Sequence, residues 1–159
     1  MTYLAPKERE KPKVYWVYGA RGTGKTKWAH DNFKDIYWKD KSKWWDGYDN
    51  QETLLLLDDF RPSQMKFSEL LTVLDRYPKH IEVKRGYRWL GGKNILITSN
   101  KHPNDCYMLP GEDTKLTRRI DHTIEFKSNG MEIIKDPYES LRSRGNTIAD
   151  SNIRPNADT

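Results

Sequence analysis

An α/β domain built on a parallel central sheet is the fold this chain predicts, and three observations carry the prediction. Short runs at 14–18 (VYWVY), 54–57 (LLLL) and 95–97 (ILI) are apolar on both faces, as strands buried inside a parallel sheet must be. The first of them runs straight into a glycine-rich segment, Gly19-Ala20-Arg21-Gly22-Thr23-Gly24-Lys25-Thr26, which opens a helical stretch. Strand-like and helix-like segments then alternate along the chain, the order that gives parallel strands joined by crossovers.

Taken in order, 13–19 reads as a buried strand and 27–34 as the helix after the glycine-rich loop. A short strand at 35–38 and a polar loop with Trp44 and Trp45 lead to 53–59, the most apolar strand of the chain and hence a central one. Phe67, Leu70, Leu71 and Leu74 fall at i, i+3, i+4 and i+7, one face of a helix that must stop before Pro78. Residues 80–84 and 87–90 flank Arg85-Gly86 as a hairpin, and 94–99 is another buried strand. A helix over 113–121 precedes a last hairpin, 122–127 and 131–134, turning at Asn129-Gly130. Three domain segments result: a lead at 1–12, an ATPase-type domain at 13–135 and a polar tail at 136–159 expected to be disordered.

The chain has 159 residues, 35% of them hydrophobic, and six Trp and nine Tyr supply much of the apolar area of a single core. A net charge of +5 favours a polyanionic partner. The tail holds three Arg and four acids, so the basic excess belongs to the folded part. A lone cysteine, Cys106, forms no intrachain disulfide, and four scattered His build no zinc site, which suits a reducing compartment. Neither an apolar signal region nor a membrane-length run is present, so a soluble intracellular protein with no membrane partner is expected.

The glycine-rich segment matches the phosphate-binding loop in full and in the right context, between a strand and a helix. Its glycines let backbone N–H groups curl around phosphates, Lys25 reaches the β- and γ-phosphates, and the Thr26 hydroxyl ligates Mg²⁺. Asp58 and Asp59 close the Leu-rich strand at the sheet edge where α/β folds bind ligands, the Walker B position. Asp58 would hold Mg²⁺ through water and Asp59 would orient or deprotonate the attacking water; the plainer alternative is carboxylates that cap the next helix. Asn100 ends the 94–99 strand and could sense the γ-phosphate or position water, although Thr-Ser-Asn is also ordinary turn chemistry. Lys84, Arg85, Arg88 and Lys93 alternate with Tyr87 and Trp89, offering charges for phosphates and faces for bases; the alternative is a solvated hairpin with both aromatics in the core. Trp44 and Trp45 are expected to pack the domain or a subunit contact.

The ordered set of Gly19 to Ala29, Tyr37-Trp38-Lys39, Lys43-Trp44-Trp45-Asp46-Gly47-Tyr48, Leu57-Asp58-Asp59-Phe60, Leu74 to Pro78, Ile95 to Asn100 and Arg118-Arg119-Ile120 resembles the superfamily 3 helicase domain of circovirus-type replication-associated proteins of small circular single-stranded DNA viruses. The resemblance implies an AAA-like P-loop ATPase that forms a homo-oligomeric ring, a hexamer, and uses ATP and Mg²⁺ to move on single-stranded DNA in the host nucleus. It places Lys84 on the DNA-binding hairpin and an arginine finger at Arg118 or Arg119. Members of that family carry an N-terminal endonuclease with a His-x-His metal site. Here about a dozen residues precede the first strand and no His-x-His occurs, so nicking is expected from a separate or missing domain. Two other classes fit parts of the pattern: a small phosphotransferase with Arg118 and Arg119 on a lid, and a nucleotide-gated module that binds DNA or RNA without unwinding it.

Overall fold

The computed structural model describes residues 9–135; residues 1–8 and the tail at 136–159 lie outside the described part. Twelve elements follow one another: β1 (Lys13–Gly19), α1 (Lys25–Asn32), β2 (Ile36–Trp38), β3 (Leu54–Leu57), α2 (Phe67–Val73), β4 (His80–Val83), β5 (Gly86–Trp89), β6 (Asn94–Ser99), α3 (Pro103–Cys106), α4 (Asp113–Thr117), β7 (His122–Lys127) and β8 (Gly130–Lys135). The main sheet has the order β2-β3-β6-β1-β7-β8, parallel from β2 to β7 and closed by antiparallel β8. Strands β4 and β5 form a separate antiparallel hairpin.

Alternation along the strands feeds two half-cores. On one face Val14 and Trp16 of β1, Leu55 and Leu57 of β3, and Ile95 and Ile97 of β6 pack with Leu70, Val73, Leu74, Ile81, Leu90, Leu116 and Ile120. On the other, Tyr15, Val17, Leu54, Leu56, Leu96 and Ile124 pack with Trp28 and Ala29 of α1. Both faces of β1, β3 and β6 are therefore covered, which is why these strands read as unbroken apolar runs.

Several boundaries differ from the sequence reading, each for a local reason. Helix α1 starts at Lys25, two residues before the expected position, because Gly24 at φ 94° ends the loop and releases the next residue into the helix. Strand β3 covers only 54–57, so Asp58 and Asp59 lie just past it, and Asp59 sits at φ 49°. Helix α4 ends at Thr117 instead of 121: the Asp121 carboxylate accepts the Val14 N–H at 2.8 Å, and its own N–H donates to the Val14 carbonyl at 2.9 Å. Helix α3 is an addition, started by Pro103 and by His102 Nδ1, which accepts the Asn104 N–H. At Gly19, φ 150°, a Cβ would lie 2.2 Å from the Phe126 carbonyl oxygen, so only glycine lets β1 leave the sheet this close to β7.

Candidate nucleotide site and basic hairpin

Parallel strands bring their C-terminal ends to one edge, and β1, β6 and β3 lie side by side in the sheet. Gly19, Asn100 and Asp58 therefore meet there, although 81 residues separate the first two in the chain. The loop after β1 turns through left-handed glycines, Gly22 at φ 75° and Gly24 at φ 94°, conformations that point successive N–H groups inward. Ala20, Arg21, Gly22 and Gly24 are exposed, and the Thr23 hydroxyl donates to the Ala20 carbonyl at 2.7 Å. Lys25 folds over the loop, its ammonium donating to the carbonyls of Gly19 at 2.7 Å and Ala20 at 2.8 Å. Burial pushes its pKa below the ordinary lysine value, against the pull of Asp59 and Asp58.

Three chain segments converge on one carboxylate. Asp58 Oδ1 accepts the hydroxyl of Thr26 at 2.9 Å and that of Thr98, on β6, at 2.7 Å. Thr98 Oγ1 in turn accepts the Asp59 N–H at 2.7 Å. From the sequence alone Thr98 is part of a strand end, and its one signal is a hydroxyl near the end of a buried strand. Hydroxyl and carboxylate oxygens beside a phosphate loop are a hard donor set that suits Mg²⁺ shared with nucleotide phosphates. Among the described residues no group of three or more His, Cys, Asp or Glu is placed to hold a metal, so phosphate and water oxygens would have to complete the shell.

Asp59 does not cap the next helix, whose N-terminal flank is Lys66. Its carboxylate lies 3.5 Å from Lys41 Nζ and 3.6 Å from the Arg61 guanidinium. Asn100 is exposed, one residue past β6 and beside the phosphate loop. On the far side of that loop a cavity of about 790 Å³ runs along Gly19 to Thr23 and the β7–β8 turn at Ser128 and Asn129.

The basic hairpin stands apart from this edge. Its turn residues Lys84 and Arg85 and the β5 residues Tyr87 and Arg88 are exposed, and none of the three cations pairs with an acid among the described residues. Tyr87 is 63% exposed, and Trp89 is half-buried with its ring 3.8 Å from that of His80, so neither aromatic forms the hairpin's core. Ile81 and Leu90 do that instead. Trp45 is buried, packing with Tyr37 and Tyr48, and Trp44 is half-buried beneath the Lys43 ammonium.

Arg118 and Arg119 follow α4 at the N-terminal end of β7, whereas the phosphate loop meets β7 at its other end. At ~3.3 Å per strand residue that separates them from their own loop by roughly 15–20 Å. The two differ sharply. Arg119 is fixed, donating to the Lys115 carbonyl at 2.6 Å and to the Asp75 carboxylate at 3.1 Å, while Arg118 is exposed.

A mainly parallel sheet whose first strand runs into a glycine-rich loop and an α-helix has the architecture of a P-loop-type core. The family model described as RNA helicase matches residues 15–101, more than half of the chain, and the chain belongs to that family. The chain is similar to replication-associated proteins of circoviruses, in line with the superfamily 3 resemblance of the sequence. It is 42% identical over 134 residues to the replication-associated protein of Porcine circovirus 1, covering 80% of this chain and 42% of that protein. The corresponding protein of Beak and feather disease virus is 33% identical over 128 residues, 80% of this chain and 44% of the relative. For Goose circovirus the figures are 34% over 121 residues, 76% and 41%. The chain thus spans less than half the length of these curated relatives. Among the described residues no helix is long and apolar enough to cross a membrane.

Proposed function

We propose that this domain binds ATP with Mg²⁺, hydrolyses it, and uses the cycle to move on single-stranded DNA as a homo-oligomeric ring during viral rolling-circle replication in the host nucleus. Nicking would come from an endonuclease domain outside residues 9–135. The observation that carries this reading is the Asp58 carboxylate, held at once by Thr26 behind the phosphate loop and by Thr98 on the strand between them. That is the arrangement a phosphoryl-transfer site needs, because catalysis there is positioning plus electrostatic stabilisation.

Lys25 would exchange the carbonyls of Gly19 and Ala20 for phosphate oxygens, a stronger partner for an ammonium. When bound, Mg²⁺ supplies charge neutralisation at the β- and γ-phosphates, beside Thr26 and Asp58. Asp59 would turn from Lys41 and Arg61 to orient the attacking water, with Asn100 beside it. The separation of Arg118 from its own phosphate loop supports a finger that reaches a neighbouring subunit's nucleotide, and it argues against a lid closing over the same chain's site, as a small kinase would need. Lys84, Arg85, Arg88 and Tyr87 offer the DNA phosphates charge and a base a stacking face.

The experiment is phosphate release with and without single-stranded DNA over a protein-concentration series. DNA stimulation together with a steep rise in specific activity with concentration is expected. Indifference to both, with phosphate passed to a small acceptor, would overturn the motor reading. The matching family model bears the description RNA helicase, so a single-stranded RNA arm belongs in the same series. Stimulation by RNA and not by DNA would reassign the substrate.

A further inference from the structure

One loop touches both the Walker B pair and the basic hairpin. It joins β2 to β3, and Lys41 near its start places Nζ 3.5 Å from the Asp59 carboxylate and 3.5 Å from the Asp59 carbonyl oxygen. Four residues later the Trp45 N–H donates to the Glu82 carbonyl of β4 at 2.8 Å. Next to it, Asp46 Oδ1 accepts the backbone N–H of Lys84, at the hairpin turn, at 2.9 Å.

Between these two ends the loop is braced rather than slack. Lys39, buried, donates to the carbonyls of Asp40 at 2.9 Å and of Ser42, and its ammonium lies 5.2 Å from the Trp45 ring. Asp40 Oδ1 accepts both the N–H and the hydroxyl of Ser42, whose oxygen accepts the Trp44 N–H. The Tyr37 hydroxyl, reaching over from β2, donates to the Asp46 carbonyl at 2.8 Å. A segment so cross-linked moves as a unit when either end moves, because each internal bond would otherwise have to break.

We propose that residues 41–46 form a strut that couples the nucleotide site to the hairpin, with Lys41 and Asp46 as positioning residues at its ends. This rests on the ATPase and DNA-binding reading above. Lys41 and Arg61 both lie on Oδ2 of Asp59, so a carboxylate that turns to orient the attacking water alters the Lys41 contact. The braced loop carries that change to the Lys84 backbone. By linkage, DNA held at Lys84 and Arg85 biases the position of Asp59 in return. The proposal stands on a chain of direct contacts that ends on the carboxylate placed to orient water.

The test compares Lys41→Ala, Asp46→Ala, Asp46→Asn and the double alanine variant, using ATP and a thymidine oligonucleotide. Asp46→Ala should keep the basal rate and the nucleotide-free oligonucleotide affinity within about twofold, while the ratio of DNA-stimulated to basal hydrolysis falls to about one. Lys41→Ala should lower that ratio likewise without lowering the basal rate. Asp46→Asn retains the acceptor for the Lys84 N–H and should retain the parental ratio, which a requirement for the Asp46 charge would not predict. The double variant should lose no more than either single one, as expected of two ends of one element. Lys41 is exposed, so its variant carries the test alone if Asp46→Ala does not fold. Parental stimulation in Lys41→Ala overturns the strut. A parent chain that hydrolyses ATP and binds the oligonucleotide, each indifferent to the other, overturns the strut but not the two activities; one that does neither overturns the functional reading as well.

Discussion

At the scale of single residues, the site depends on a few hydrogen bonds whose loss should be separable. Lys25→Ala removes the mobile cation of the phosphate loop, so ATP hydrolysis should fall to background and nucleotide affinity should weaken; phosphate release and a nucleotide titration check both. Thr98→Val removes a hydroxyl that donates to Asp58 and accepts from the Asp59 N–H, and valine fills the space without replacing either bond. The part-buried N–H then lacks its partner, at about 1 kcal/mol, so the melting temperature should drop along with kcat. Retained turnover in Thr98→Val would remove this threonine from the site. The meeting of Thr26 with Asp58 was legible in the sequence, because the phosphate-loop pattern sets Thr26 just after β1 and the Leu-rich strand delivers Asp58 to the same sheet edge. Thr98 was not, since a threonine near the end of a buried strand is common and its partners lie 39 and 40 residues away.

Among the elements, long apolar patterns were legible and their ends were not. The buried strands and α2 emerged from periodicity alone, whereas α3, four residues long, has no period to read. The early stop of α4 depended on Asp121 finding the start of β1, a contact across 107 residues. That stop leaves Arg119 against Asp75, beyond α2, and this pair ties the two segments together. Burial pushes the Asp75 carboxyl up, but the Arg76 N–H and Arg119 outweigh it and hold the pKa below the ordinary 3.8. A depressed carboxylate contributes stability that is present above its unfolded pKa and is lost as the pH falls through the folded one. Asp75→Asn should therefore destabilise the domain by about 1–2 kcal/mol at neutral pH and flatten the loss of stability as the pH falls below about 4. Denaturant unfolding at several pH values measures this. An unchanged acid limb would show that the pair contributes nothing.

On the scale of the whole molecule, the length of β7 separates the phosphate loop from Arg118, and in the ring proposed above each would face a different neighbour. Sequence alone could not choose between the two arginines, because adjacent residues differ only in where the helix end aims them. On the proposed function, the clamp on Arg119 and the exposure of Arg118 favour Arg118 as the finger. Mixing a Lys25→Ala chain with an Arg118→Ala chain should restore part of the hydrolysis that neither shows alone, and Arg119→Ala in place of Arg118→Ala should not complement in this way. Absence of recovery in chains that co-assemble would make Arg118 a residue acting in cis or only structurally. The polar tail at 136–159, expected to be disordered, lies outside the described residues.

The two half-cores carry a further consequence, which is optical. Trp28 is buried on one face of the sheet, and Trp16 and Trp45 are buried on the other. Each face thus holds its own fluorophore, shielded from water until that face opens. Strand β1 contributes alternate residues to both faces, so neither can come apart while the other keeps its packing. In a chain keeping only Trp28, and in one keeping only Trp16, emission should shift to longer wavelength at the denaturant concentration where that same chain loses its far-UV circular dichroism, as a single cooperative unit requires.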